Sequence, residues 1–307
     1  MKKHIILTLT LLSFAALIAL SVLLSAKNPI HLAYMSDKKY LPYMMVSLHS
    51  AILNKNKNTS YHVHVLAKDL TNEDIKKLKE IEQADVQISV YQTKELNLDS
   101  AHLGRFASFA PALQKVFIAG YMKNINKVLY LDADTIVQKD LTSVYKTNLE
   151  NQYIAAVKDG LMYQFPEHIA ELGLKERDFY FNSGVMLLNL KEIRERNIER
   201  RAITYFNTHN EIFGDQDILN VVVGQKVLPL SYVYNVNSTF FEEKSAAFLA
   251  EFYQEKVPNS PKEVYDNAAI LHFAGHKPWT PWFNQPYLQA LWADYAKKTQ
   301  AKYQIMF

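Results

Sequence analysis

From residue 30 onward short apolar runs alternate with amphipathic helical patterns, and this alternation constrains the fold more than any other feature of the chain. The runs Ile30–Tyr34, Tyr61–Leu66, Val86–Tyr91, Lys127–Leu131, Tyr153–Val157 and Phe181–Leu190 read as strands. Between them Tyr43–Leu53 reads as an apolar-faced helix. Thr71-Asn-Glu-Asp74 is a capping box opening a helix to about Gln83, and Pro111 suits the first turn of a helix to about Tyr121. Further on, Lys191–Thr208 is a charged amphipathic helix and Asp215–Val223 a short one. This βαβα order predicts an α/β fold with a mostly parallel sheet and helices on both faces.

The first 26 residues are a separate object. Lys2 and Lys3 precede Ile5–Ala26, an uncharged stretch able, as a helix, to span about 30 Å of hydrocarbon. A cleaved signal peptide has an apolar region of about 7–15 residues and a small residue three positions before the cut; here Leu24 stands at that place relative to Ala26. A single-pass N-terminal membrane anchor is therefore expected, with a signal peptide as the alternative. Lys27, Lys38 and Lys39 follow the span and offset the leading lysines, so the sequence leaves the orientation open between a bacterial inner membrane and a Golgi-like one. The expected divisions are an anchor over 1–26, a catalytic domain over 27–284 and a C-terminal aromatic and basic helix over 285–307.

Composition narrows the function. Outside the first 26 residues, 32 basic side chains face 31 acidic ones, which gives a nucleic-acid partner no electrostatic support. With no cysteine, a thiol nucleophile, a disulfide scaffold and a zinc–thiolate centre are excluded.

Open parallel sheets bind ligands beyond the carboxyl ends of their strands. The strand Lys127–Leu131 runs directly into Asp132-Ala-Asp134. Two carboxylates one residue apart at a strand end suit a hard divalent cation that bridges a diphosphate, although an isolated Asp-x-Asp also reads as a solvated turn. It has company: Tyr180-Phe-Asn-Ser-Gly-Val-Met-Leu-Leu-Asn-Leu190, Gly214-Asp-Gln-Asp-Ile-Leu-Asn220, and Leu271-His-Phe-Ala-Gly-His-Lys-Pro-Trp279.

With Val128-Leu-Tyr-Leu-Asp-Ala-Asp134 and Leu32-Ala-Tyr-Met-Ser-Asp-Lys-Lys-Tyr40, these segments resemble the family 8 glycosyltransferases over about residues 30–280. The resemblance implies a GT-A fold, a single Rossmann-like, mostly parallel twisted sheet, and a retaining hexosyltransferase of the lipopolysaccharide galactosyl- and glucosyltransferase kind. Such an enzyme uses UDP-galactose or UDP-glucose, Mn²⁺ or Mg²⁺, and a glycan or glycolipid acceptor. Carried over residue by residue, Asp132, Asp134 and His272 would hold the metal, with Asp132 also at the ribose. Asp37 and Tyr40 match the uridine segment, and Lys277 and Gly275 the diphosphate loop. Asn182, Ser183 and Asp215 would meet the donor, and Gln216 would lie beneath the anomeric carbon, with Asp215 as a possible covalent nucleophile. Asp159 would approach the sugar pocket or acceptor. Lys115 stands where an arginine is usual and keeps the charge without the bidentate fork.

Each residue also has a plainer reading. His272 would be a structural histidine after an apolar strand, Asn182 an Asx turn, and Asp215 a helix N-cap. His276 offers a second imidazole four residues after His272. The aromatic tail reads as packing. Two other functions compete: a membrane-tethered protein that binds nucleotide sugar or glycan without turnover, and an Asp-nucleophile phosphohydrolase, which the Ile at 136 and the Leu at 219 disfavour.

Overall fold

The computed structural model describes residues 28–93, 113–175, 179–209 and 214–307. The expected anchor Ile5–Ala26 and the helix start at Pro111 lie outside them. Among the described residues no helix is long and apolar enough to cross a membrane.

Among the described residues ten strands form two sheets. In chain order they are β1 (Ile30–Asp37), β2 (Tyr61–Lys68), β3 (Val86–Gln92), β4 (Lys127–Leu131), β5 (Thr135–Val137), β6 (Ile154–Lys158), β7 (Phe181–Asn189), β8 (Val227–Pro229), β9 (Val236–Asn237) and β10 (Ile270–His272). The main sheet runs β3-β2-β1-β4-β7-β6-β8, and a small one runs β5-β10-β9. Strands β1 to β4 are parallel, as the alternation predicts, but β7 is antiparallel to both β4 and β6.

Side-chain alternation splits the core into two layers. Along β4, Leu129 and Leu131 join the layer built from helices Leu41–Leu53 and Pro286–Tyr303, while Val128 and Tyr130 join the layer under helices Ile198–Thr208 and Asp215–Val223. Helices thus cover both faces, and the C-terminal helix buries Leu288, Trp292, Ala296 and Tyr303 in the first layer.

Three expected elements differ. The helix opened by the Thr71 capping box stops at Lys79, because the backbone of Gln83 pairs with Val86. The long helix expected over 191–208 is two, Leu190–Glu195 and Ile198–Thr208, broken where Asn197 takes a φ of 54°, a left-handed conformation that asparagine tolerates better than most residues. Towards Tyr121 the described chain is a 3₁₀ turn, Gln114–Phe117, followed by the single helical turn Ile118–Tyr121.

The C-terminal helix is pinned through a buried histidine. Thr299 donates its hydroxyl to the Tyr295 carbonyl (2.7 Å), so the His49 Nδ1–H donates to Thr299 Oγ1 (2.9 Å), and His49 Nε2 is left buried without a partner. Burial, reinforced by Lys302 and Lys298, lowers this imidazole to about 4. The unfolded chain, at the ordinary value of 6.5, therefore binds a proton that the folded chain refuses; the stability is present above pH 6.5 and is lost as pH falls towards 4. Urea unfolding is expected to show about 2 kcal/mol less stability at pH 5 than at pH 7 from this group, an increment that disappears in His49→Gln. An unchanged slope in that variant would refute the assignment.

Candidate active site

The parallel strands deliver their carboxyl ends to one rim, and β7, running the other way, delivers its amino end there. A cleft of about 550 Å³ opens at this rim. Asp37 and Tyr40 from the end of β1, Asp132 and Asp134 after β4, Asn182 and Ser183 at the start of β7, Asp215 and Gln216 opening a helix, and His272, Gly275 and Lys277 after β10 all line it, with Lys115 at its base. The sequence singles out every one of these residues.

One wall is a cluster of hard ligands. Asp132 Oδ1 accepts from the Tyr130 hydroxyl (2.6 Å) and lies 3.4 Å from Lys115 Nζ, which leaves Oδ2 free, 3.8 Å from His272 Nε2. Asp134 accepts from Lys277 through Oδ2, while its Oδ1 lies 3.4 Å from the same His272 nitrogen. The tautomer of His272 follows from its far side. Asn235 donates through Nδ2 to Asn182 Oδ1 (2.8 Å), so its own Oδ1 must accept from His272 Nδ1–H (3.0 Å). The Nε2 lone pair is then left facing the two carboxylates, the form that binds a metal.

Register fixes the cluster: β10 pairs with β5 so that His272 lies opposite Thr135, next to Asp134. Burial alone would raise the Asp134 carboxyl; the Lys277 ammonium outweighs it and holds it well below the ordinary carboxylate range. Two carboxylate oxygens and one imidazole nitrogen, one from each residue and all within 4.8 Å of one another, form a donor set that fits a divalent ion.

The opposite wall is held by a second network. Lys115, buried, lies 2.8 Å from Asp215 Oδ2 and 3.4 Å from the Ser183 carbonyl. Its own burial would lower its pKa, but Asp132 and Asp215 together raise it, so it remains a cation. The Ser183 hydroxyl also donates to Asp215 Oδ2 (2.8 Å). Gln216 is held at both ends of its amide: Oε1 accepts from the Ser183 N–H (3.0 Å), and Nε2 donates to Asp159 Oδ2 (3.0 Å) and lies 3.4 Å from the Tyr180 hydroxyl. Asp159 does not line the cleft. It is buried behind the wall, where its Oδ2 also accepts from Asn182 Nδ2 (2.9 Å). His276 is exposed and outside the cleft lining, so it is His272 that stands with the two aspartates.

Two glycines shape the rim. Gly275 has a φ of +87°, a conformation that side chains disfavour. A Cβ on Gly184 would stand 2.2 Å from the His272 ring, so this position admits no side chain while the imidazole stays in place. Asp37 accepts from the Tyr40 N–H (2.7 Å), closing the turn after β1.

Sequence reasoning missed the residues that hold this site. Tyr130 and Asn235 orient Asp132 and His272. Tyr180 donates to the fully buried Asp217, which also pairs with His168 Nε2 at 2.9 Å. A detectable signal existed for Asp217 alone, as the second acid of Gly214-Asp-Gln-Asp217.

A model of the family described as glycosyl transferase family 8 matches residues 31–283. The chain belongs to this family. A putative glycosyltransferase of Haemophilus influenzae is 27% identical over 219 residues, covering 68% of this chain and 64% of its own length. A lipopolysaccharide 1,2-glucosyltransferase of Escherichia coli is 27% identical over 263 residues, covering 84% and 75%. Among solved structures, the galactosyltransferase LgtC in complex with donor and acceptor sugar analogues superposes with a TM-score of 0.69 at 20% identity, over 88% of this chain and 96% of that one. The bifunctional glycosyltransferase WbbM gives 0.72 at 20% identity, over 91% and 52%. The GT-A-like α/β fold is thereby shown, and family membership makes the chain a glycosyltransferase, which sets the phosphohydrolase reading aside.

Proposed function

We propose that the chain is a Mn²⁺-dependent, retaining hexosyltransferase that moves galactose or glucose from its UDP derivative to a hydroxyl of a glycan or glycolipid. The observation that carries this reading is the convergence of Asp132, Asp134, His272 and Lys277 on one wall of a cleft whose other wall presents Asn182, Asp215 and Gln216. A divalent ion bound by the two aspartates and the histidine would supply positive charge beside the departing diphosphate, and the imidazole favours Mn²⁺ over Mg²⁺.

The chain's own groups do the rest. Lys277, hydrogen-bonded to Asp134 and to the Phe273 carbonyl (2.9 Å), is a second cation for phosphate oxygens, and Gly275 lets backbone approach them. Asp37 and Tyr40 suit the uridine end. Lys115 and Ser183 both engage Oδ2 of Asp215, leaving Oδ1 to accept a donor-sugar hydroxyl. The same two contacts weaken Asp215 as a covalent nucleophile, because an ammonium and a hydroxyl already draw on the carboxylate's electrons. Gln216 is an amide and a poorer nucleophile still.

Front-face displacement follows: the acceptor oxygen bonds to the anomeric carbon as the sugar–phosphate bond breaks, and the acceptor proton passes to a diphosphate oxygen. Gln216 and Asp215 stabilise the positive charge that develops on the sugar. A membrane tether through Ile5–Ala26 belongs to this proposal and rests on the apolar sequence of that stretch.

The test is incubation with radiolabelled UDP-galactose or UDP-glucose, Mn²⁺ and sugar-terminated oligosaccharides, including a lipopolysaccharide core because one relative is a lipopolysaccharide glucosyltransferase. An α-linked product by NMR supports the proposal, a β-linked one refutes retention, and donor binding without transfer or hydrolysis supports a non-catalytic protein instead. Within this assay Gln216→Ala should slow turnover about 10²-fold, the scale for losing one charge-stabilising group. A covalent glycosyl adduct on Asp215 would overturn the front-face route.

A further inference from the structure

A second cluster of metal-binding side chains lies at the other end of the sheet. His62 and His64 are alternate residues of β2 and so share a face, and β1 pairs with β2 in a register that sets His31 opposite His62. The three rings crowd together: centroids are 4.3 Å apart for His62 and His64, 5.2 Å for His31 and His64, and 5.6 Å for His31 and His62. His31 Nδ1 and His64 Nε2 approach to 2.9 Å. One nitrogen from each of the three lies within 4.8 Å of the other two.

By register His31 is level with Val128 of β4, so Asp132 stands four residues, about 13 Å, further along the strand direction. The cluster is therefore not part of the cleft, and none of its residues lines it.

We propose that His31, His62 and His64 form a second metal site, selective for Zn²⁺ or another imidazole-preferring divalent transition ion, which clips β1 to β2. Three imidazoles with an open fourth position are a recognised ligand set for zinc. Carboxylate-rich sites such as Asp132 and Asp134 suit Mn²⁺ or Mg²⁺ instead, so the two sites differ in preference as well as in place.

Strand β3 supplies the outer contacts that such ligands use. Tyr91 Oη lies 3.1 Å from His64 Nδ1, and Ser89 Oγ lies 2.8 Å from His62 Nε2. With Nδ1–H of His64 given to the tyrosine, its Nε2 carries a lone pair directed at His31. Burial lowers all three imidazoles, His64 to about 3, so they are neutral at physiological pH, as coordination requires. Nitrogens around a tetrahedral zinc are about 3.3 Å apart, a spacing that a small rotation of His31 away from His64 supplies.

The test uses the tag-free full chain carrying Asp134→Asn, which disables the carboxylate site, titrated with Zn²⁺ by calorimetry and with Co²⁺ by visible absorption. One equivalent of Zn²⁺, a visible Co²⁺ band and a melting temperature raised by about 5 °C or more at saturating Zn²⁺ are expected. Adding His62→Gln should weaken Zn²⁺ binding at least tenfold and abolish the thermal shift, while His62→Gln alone leaves sugar transfer at the parental rate. Should His62→Gln fail to fold, His31→Gln on the neighbouring strand serves as the second variant. Failure of the Asp134→Asn chain to bind Zn²⁺, full binding in both histidine variants, or binding lost only with His276→Gln would each overturn the proposal.

Discussion

Asp134→Asn is expected to lose hexosyl transfer by about a thousandfold or more, with no rescue at saturating Mn²⁺. The carboxylate is buried, it lies within 3.4 Å of His272 Nε2, and Lys277 occupies its other oxygen. Asparagine keeps the shape and removes the charge, so the donor set loses one of its two anionic ligands while the backbone that carries it is untouched. The cost to the fold comes from Lys277, which is left beside a neutral amide; losing one partner of a buried pair costs about 3 kcal/mol, here reduced because Lys277 retains the Phe273 carbonyl. A thermal melt and a Mn²⁺ titration of activity, run side by side, separate the two effects. A folded variant with the parental rate would remove Asp134 from the metal site and the proposed mechanism with it.

Gly184→Ala should be nearly as damaging for a different reason. The added methyl would stand 2.2 Å from Cε1 and 2.8 Å from both ring nitrogens of His272, and the ring cannot swing aside without breaking its bond to Asn235. Either the imidazole moves or β7 does, and both separate His272 from Asp132 and Asp134. The expected result is a Mn²⁺ requirement raised at least tenfold, transfer reduced about a hundredfold, and a loss of about 1–3 kcal/mol from overpacking. Adding His272→Ala should restore the melting temperature while leaving activity lost, because the clash is relieved and the ligand is gone. Parental Mn²⁺ activation in the single variant would show that the ring has room the geometry denies it.

The sequence makes the site more legible than its scaffold. Asp132 and Asp134 are readable because an apolar run ends in them, where period and polarity change together, whereas His272 and Lys277 are readable through the family resemblance that Leu271–Trp279 carries. The reversed direction of β7 is not readable, since an apolar strand buried on both faces looks the same in either orientation. Strands β5, β8, β9 and β10 are three residues long or shorter, too short for a pattern to emerge from neighbouring turns; of these only the β10 region was readable, from its run Ala268–Leu271. The break at Asn197 was hidden because charged residues on both sides continue the helical period. Asn235, which sets the tautomer of His272, sits in a stretch with no periodicity at all; its role exists only once β9 and β10 are paired.

The pairing of β10 with β5 also bears on how the protein acquires its activity. Thr135 and His272 meet across 137 positions of chain, and Lys277 reaches Asp134 across 143. Contacts this distant in sequence carry more loop-closure entropy than local ones and form more slowly. The parallel pairing of β1, β2 and β3 involves much shorter separations and can precede them. A chain still emerging from the ribosome, even one with most of its large sheet in place, therefore has two aspartates at a strand end and nothing to complete them until the Ile270–Lys277 segment is made.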